Sequence, residues 1–303
     1  MHADEVDTDP ALVRRLLAAE FPEWADLPIE PVLPMGTDNA LYRLGGDMVA
    51  RLPRTERTSR RLEKERRWLP RLGPKLPLAV PVPLAEGAPA EGYPFAWSVY
   101  TWLQGENATF ERVTDLSQFA TDLAQFVADL QRIDPSPGPP PGEHNFFRGV
   151  PLARRDESTR ASIATLGRAI DVDAVTAAWE AALHAPAWER PSVWVHGDLD
   201  SRNLLAEQGR LSAVIDWGGL GVGDPACDVM VVWKVFTADT RDLFRTALSI
   251  DGATWARSRG WALSQAVDAL AYYTPSTNAV LVSESQRWLA EVLADLSSDH
   301  GHP

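Results

Sequence analysis

The 303-residue chain has a single cysteine, Cys227, so no disulfide can form within it, and a reducing, cytoplasmic location is the expectation. Long apolar runs are also missing. The most apolar stretch, Val229 to Trp233, falls far short of the roughly 18 residues a membrane span needs. The opening residues lack the basic-then-apolar pattern of a secretion signal, and no segment repeats. Positive charge is scarce, with 29 Lys and Arg against 42 Asp and Glu and a net charge of −13. That balance argues against nucleic acid or a membrane as partner, because phosphates attract clustered cations, and it points to a cationic small molecule instead. A monomer or a homodimer is expected.

What is present is a globular composition, 45% hydrophobic and 23% charged, on a chain long enough for two lobes. Charge is unevenly spread. Residues 51–75 hold 10 Lys and Arg against 3 Asp and Glu, a local +7, so the other 278 residues carry −20. A solvated basic helix explains this segment as well as an anion-facing surface does.

Asn39 to Leu44 and Met48 to Leu52, separated by Gly45-Gly46-Asp47, read as a hairpin. A charged surface helix over Thr55 to Leu69 follows, with Pro70, Gly73, Pro74 and Pro77 expected to stop it. Tyr93 to Leu103 reads as a further strand. Beyond Gly105 the pattern turns helical: Leu116, Phe119, Ala120, Leu123, Phe126, Val127, Leu130 and Ile133 recur at steps of three and four. Pro135 to Gly142 must be an exposed loop. Helical patterns return at Ala153 to Ala169, Asp173 to His184 and from Asp224 onward, with Asp239 and Ser276 expected as caps. The fold class is therefore α+β: a small β-rich lobe at 1–104 and a larger, mainly helical lobe at 105–303.

Chemistry concentrates in Val193-Trp-Val-His-Gly-Asp198-Leu-Asp200-Ser-Arg202-Asn203-Leu-Leu205 and in Asp216-Trp-Gly218. Short apolar strands bracket both clusters, so Asp198, Asn203 and Asp216 are expected at strand ends. Oxygen ligands of this kind suit a hard cation such as Mg²⁺, which takes one or two carboxylates together with phosphates and water. A base, an amide ligand and a carboxylate ligand are also what transfer of a phosphoryl group from ATP requires.

The constellation His196-Gly-Asp-x-x-x-x-Asn203, then Ile215-Asp-Trp-Gly218, then Gly223-Asp-Pro-x-x-Asp228, resembles the aminoglycoside phosphotransferase family, relatives of choline kinases and protein kinases. Met35-Gly-Thr-Asp-Asn39 and Leu41-Tyr-Arg-Leu44 resemble that family's first hairpin. The resemblance implies a two-lobed, protein-kinase-like fold with the active site between the lobes. It implies an ATP-dependent kinase, with GTP as a possible donor, that phosphorylates a hydroxyl of a small, cationic, aminoglycoside-like antibiotic and so gives resistance. Asp198 matches the catalytic base, and Asn203 and Asp216 match the Mg²⁺ ligands. Arg51 falls where many members carry the ATP-phosphate lysine, a planar fork in place of a point charge, and Glu65 matches its pairing carboxylate. The protein-kinase Gly-x-Gly-x-x-Gly loop is absent. Gly36, Thr37 and Asn39 form a shorter turn that would cover the triphosphate, and backbone groups of Tyr100, Thr101, Trp102 and Leu103 would read the nucleotide base.

His196 reads as a brace for the catalytic loop, Asp224 and Asp228 as anchors of the next helix, and Cys227 as a small buried residue. For the acceptor, Asp200, Arg202, Asp156 and Glu157 are candidates, although surface solvation explains each acidic one equally well. Three alternatives stay open: a macrolide or other small-molecule kinase acting on an amino sugar or amino alcohol, a non-catalytic nucleotide-binding relative, and a metallohydrolase built on His196, Asp198 and Asp216.

Overall fold

The computed structural model describes residues 6–33 and 38–299. Gly36 and Thr37 lie outside the described residues. The chain is mixed α/β, with a sheet in its N-terminal region and helices in its C-terminal region. It divides into two compact units, Met1–Gly105 with Ser212–Gly218, and Glu106–Leu211 with Gly219–Pro303.

In the first unit, helix α1 (Pro10–Glu20) starts where the Asp9 carboxylate accepts from Leu12 N at 2.6 Å, with Pro10 in the first turn. Five strands follow, β1 (Ile29–Pro31), β2 (Asn39–Leu44), β3 (Met48–Pro53), β4 (Pro83–Gly87) and β5 (Trp97–Thr101), with helix α2 (Glu56–Leu72) between β3 and β4. They form one sheet in the order β1-β2-β3-β5-β4. The expected hairpin is present: β2 pairs antiparallel with β3 from Asn39 opposite Pro53 to Leu44 opposite Met48, and Gly45 supplies the positive φ of 57° that starts the turn. Leu12, Val13, Leu16 and Leu17 of α1 pack on Ala40, Tyr42, Leu44, Ala50 and Leu52 to make this unit's core. Thr55 caps α2 by accepting from Thr58 N. Contrary to expectation the helix passes Pro70, which removes only its own N–H from the ladder, and ends at Leu72 with Gly73 as its C-cap.

The second unit contains β6 (Glu106–Asn107), α3 (Leu116–Arg132), α4 (Asp156–Leu166), α5 (Val172–Leu183), β7 (Val193–Val195), β8 (Leu204–Glu207), the start of β9 (Arg210–Val214, whose residues from Ser212 on belong to the first unit), β10 (Gly221–Gly223), α6 (Ala226–Val229), α7 (Val231–Val235), α8 (Ala238–Ala247), α9 (Gly252–Tyr272) and α10 (Pro275–Asp299), the last broken at Asn278. Helix α3 starts where Asp115 accepts from Ser117 N and Gln118 N, and it buries Phe119, Leu123, Phe126, Val127 and Leu130, the face its periodicity specified. Each such side chain contributes about 1.5–3 kcal/mol on burial. Helix α9 packs against α4, α5, α6 and α10. Residues 133–142 form neither helix nor strand. Two expected caps are corrected. Thr237 precedes α8, placing Asp239 in its first turn, and Ser276 is the second residue of α10.

The division differs from the expected one at Ser212–Gly218, which joins the first unit. There Ala79 N donates to Ser212 O at 3.1 Å and Val214 N donates to Ala79 O at 2.9 Å. Asp216 therefore belongs with the sheet rather than with the helical unit. No described helix is long and apolar enough to cross a membrane.

Candidate active site

In the first unit, β3 places Arg51 opposite Leu41 and Ser98, and α2 brings Glu65 to it. The two form a fork: Nη1 donates to Oε2 at 2.6 Å and Nη2 to Oε1 at 3.3 Å, both side chains being nearly fully buried. The guanidinium carbon lies 5.2 Å from the centre of the Tyr100 ring. Burial works against the Arg51 charge, but Glu65, with Tyr100 and Asp216, holds its pKa above the ordinary value. Burial pushes the Glu65 carboxyl up, and Arg51 opposes that shift. Asp216 is exposed and sits at φ 58°, a strained conformation for a residue with a side chain. Beside it Trp217 is fully buried, its indole N–H donating to Val214 O. Lys64 donates to Gly218 O at 2.9 Å, and burial lowers its pKa to about 7. Arg61 donates to Asp38 at 2.6 Å, and Asn39 Oδ1 is buried without a partner. Of the four residues expected to read the base, Thr101 N already donates to Val82 O and Trp102 N to Asp47 O, while Tyr100 sits inside β5. The Thr101 and Trp102 amides are thus spent within the unit.

In the second unit, β7 runs into the loop of Asp198. Buried Asp228 fixes that loop from below, accepting from His196 N and Gly197 N at 2.7 Å each. Burial raises the Asp228 pKa, against the pull of His196 and these amides. Gly197 has φ 84°, and a Cβ there would meet Gly219 O at 2.3 Å, so only glycine fits. His196 is fully buried, and its Nδ1 accepts from Asp198 N at 3.2 Å, which makes it a brace. Asn203 Nδ2 donates to Asp198 O at 2.8 Å and to Asp198 Oδ2 at 3.3 Å. The Asp198 side chain is 40% exposed, and Arg148 lies 3.7 Å from it.

Asp224 accepts from Ala226 N at 3.0 Å and takes the fork of Arg257 at 2.7 and 3.1 Å, so it anchors the helical segment as expected, whereas Asp228 anchors the loop instead. Cys227 between them is fully buried, with Sγ 3.5 Å from Asp224 O, and burial together with Asp228 and Asp224 pushes its thiol well above the ordinary range.

The motif model of the phosphotransferase enzyme family matches residues 31–261, a span that takes in Arg51, Glu65, Asp198, Asn203 and Asp216. The chain belongs to this family. Among solved structures the phosphotransferase chain is similar to aminoglycoside 2'-phosphotransferase-IIIa in its GDP complex, at 18% identity and TM-score 0.76, covering 95% of this chain and 99% of that one. It is similar to APH(2")-IIa in a ternary complex with streptomycin and ATP, at 18% identity and TM-score 0.62, covering 91% and 94%. It is also similar to the macrolide 2'-phosphotransferase MphH of Brachybacterium faecium, at 23% identity and TM-score 0.63, covering 94% and 98%. At these identities the likeness is one of fold. No curated protein sequence matches the chain.

The expected acceptor residues of this phosphotransferase are less united. Asp200 is 1% exposed and committed to Arg202, which takes it with both Nε and Nη2. Burial disfavours the Asp200 charge, yet Arg202 and Lys234 hold its pKa below the ordinary value. Asp156, on α4, accepts from Trp179 of α5 and from Arg160, and Glu157 is exposed next to it. A cavity of about 410 Å³ does reach Asp198, and neither Asp156 nor Glu157 lines it. Its walls bring in residues that sequence reasoning missed: Arg148, Arg155, Lys234, Gln265 and Trp288. They come from separate loops and helices with no shared spacing, so only the fold assembles them. Among the described residues, no three His, Cys, Asp or Glu gather as a metal site.

Proposed function

We propose that the chain is an ATP- and Mg²⁺-dependent O-phosphotransferase that moves a phosphoryl group onto a hydroxyl of a small molecule, in the class of antibiotic acceptors that its fold neighbours are named for. The observation that carries this reading is the Asp198 carboxylate, held by Asn203, backed by the Asp228-tied loop and open to the cavity. Asp198 accepts the proton as the acceptor oxygen bonds to the γ-phosphorus and the bond to the nucleoside diphosphate breaks. Arg51, oriented by Glu65, turns its remaining guanidinium N–H groups to the nucleotide phosphates.

Two residues carry donors of the kind Mg²⁺ takes. With its amide nitrogen given to Asp198, Asn203 keeps Oδ1 as a hard oxygen donor, and Asp216, in the first unit, presents an exposed carboxylate. An ion held by such ligands would neutralise charge that develops between the β and γ phosphates. His196 is occupied as a brace, which weighs against the hydrolase alternative.

An aminoglycoside-like acceptor is the first candidate to assay. The cationic cavity lining favours the second reading, a small acceptor without several positive charges. The test is consumption of ATP and of GTP across aminoglycosides, macrolides, amino alcohols and hydroxy acids, with the product identified by its added phosphoryl group. Asp198→Asn should lower turnover by about 10²–10⁴-fold, the worth of a general base. An Asp198→Asn enzyme as fast as the parent would sink the assignment.

A further inference from the structure

The cavity beside Asp198 is rich in donors and poor in acceptors. Its lining holds Arg148, Arg155, Arg202 and Lys234 against two carboxylates, Asp198 and Asp268. Asp268 is already spent, accepting from Arg155 through Oδ2 and from Ser162 through Oδ1. Asp198 is needed for the acceptor's hydroxyl proton. No lining carboxylate is left to hold an ammonium group, so a polycationic acceptor would have to bury its charge among cations.

The cations are unequally committed. Arg202 is neutralised by Asp200 and Arg155 by Asp268. Arg148 stands 3.7 Å from Asp198, beyond ordinary hydrogen-bond length. Lys234, 2% exposed, shares the charge of Asp200 with Arg202, gives one bond to Gln265 Oε1 at 2.7 Å and lies 4.8 Å from the centre of the Trp288 ring. Since an ammonium only donates, Gln265 must face it with oxygen, which leaves Nε2 buried without an acceptor. Arg148 Nε and Trp288 Nε1 are likewise buried without one. A buried donor left unmatched loses its hydration with nothing in return, and a ligand rich in acceptor oxygens is the natural way to recover it.

We infer that the acceptor carries an anionic group, a carboxylate or a phosphate, beside the hydroxyl that is phosphorylated, and that Lys234, with Gln265 and Arg148, binds that group. The inference rests on the transferase reading above and sharpens its substrate class. The volume lies at the low end of the ~300–1,000 Å³ usual for ligand pockets and suits a hydroxy acid, sugar acid or sugar phosphate.

A set of sugars matched in size and differing in charge tests this: gluconate and glucose 6-phosphate, neutral glucose, and cationic glucosamine. Each is titrated calorimetrically into the full-length protein saturated with Mg²⁺ and a non-hydrolysable ATP analogue, which keeps the anions off the nucleotide site. At least one anion should bind about tenfold or more tightly than glucose, with glucosamine weakest, and Lys234→Met should remove that preference, the size expected of one charge-assisted hydrogen bond. Gln265→Glu, which brings a negative charge to the same place, should do likewise and serves if Lys234→Met does not fold. Preference for glucosamine, no anion binding at millimolar concentration, or anion binding indifferent to both substitutions overturns the inference. Turnover is read separately. ATP use on aminoglycosides without anion binding would leave the transferase reading standing, whereas Lys234-dependent anion binding with no phosphoryl transfer to any acceptor would leave only the anion site.

Discussion

Two of the chain's three lysines, Lys64 and Lys234, are drawn into the protein, where an ammonium is expensive. For Lys64 the consequence can be measured. Its folded pKa of about 7 lies below the ~10.4 of an unfolded lysine, so between those values the unfolded chain holds the extra proton. Stability against urea should therefore rise as pH increases from about 7 to about 10, and the slope should flatten in Lys64→Met. A slope unchanged by that substitution would show that Lys64 titrates normally. The Arg51–Glu65 fork gives a second outcome at this scale. Glu65→Ala strands a buried guanidinium and should cost roughly 3–5 kcal/mol, read as a shift of the urea midpoint, whereas the double change Arg51→Met with Glu65→Leu should recover most of it. The pairing was visible in advance because both residues match a motif. Lys64 was not, since nothing in a run of basic residues says which one a helix turns inward.

At the scale of elements, the loop of Asp198 is held by a residue thirty positions downstream, Asp228, through two backbone amides. Asp228→Asn replaces one acceptor oxygen with a donor, so one of those amides loses its partner. The expected cost is about 1–3 kcal/mol in stability with a larger fall in kcat than in ATP affinity, measured by denaturation and steady-state kinetics. Gly197→Ala should be worse, because a positive φ and a backbone clash coincide, and soluble, fully active enzyme from that variant would contradict the geometry. Most elements were legible from periodicity: the hairpin before Arg51 and the buried face of α3 follow directly from residue spacing. The misread ends at Pro70, Asp239 and Ser276 share a cause. A cap or breaker is decided by which neighbouring amide lacks a partner, and several residues nearby offered the same chemistry.

Across the whole molecule, charge and chain order divide differently. The basic segment 51–75 supplies Arg51, Arg61 and Lys64 to the first unit, while the cations of the cavity beside Asp198 come from the otherwise acidic remainder. Net charge averages over a surface of which the cavity is a small part. The first unit is also discontinuous, completed by Ser212–Gly218. A fragment of residues 1–105 alone should be readily proteolysed, and appending 212–218 through a flexible linker should protect it; equal protection without the appendage would show the segment to be dispensable. Finally, the single thiol acts as a clock. Cys227 adjoins Asp228, is sealed from solvent and is held in its unreactive form. Alkylation at neutral pH must then wait for that segment to open, so the rate of labelling at one atom times the transient release of the Asp198 loop with no probe introduced.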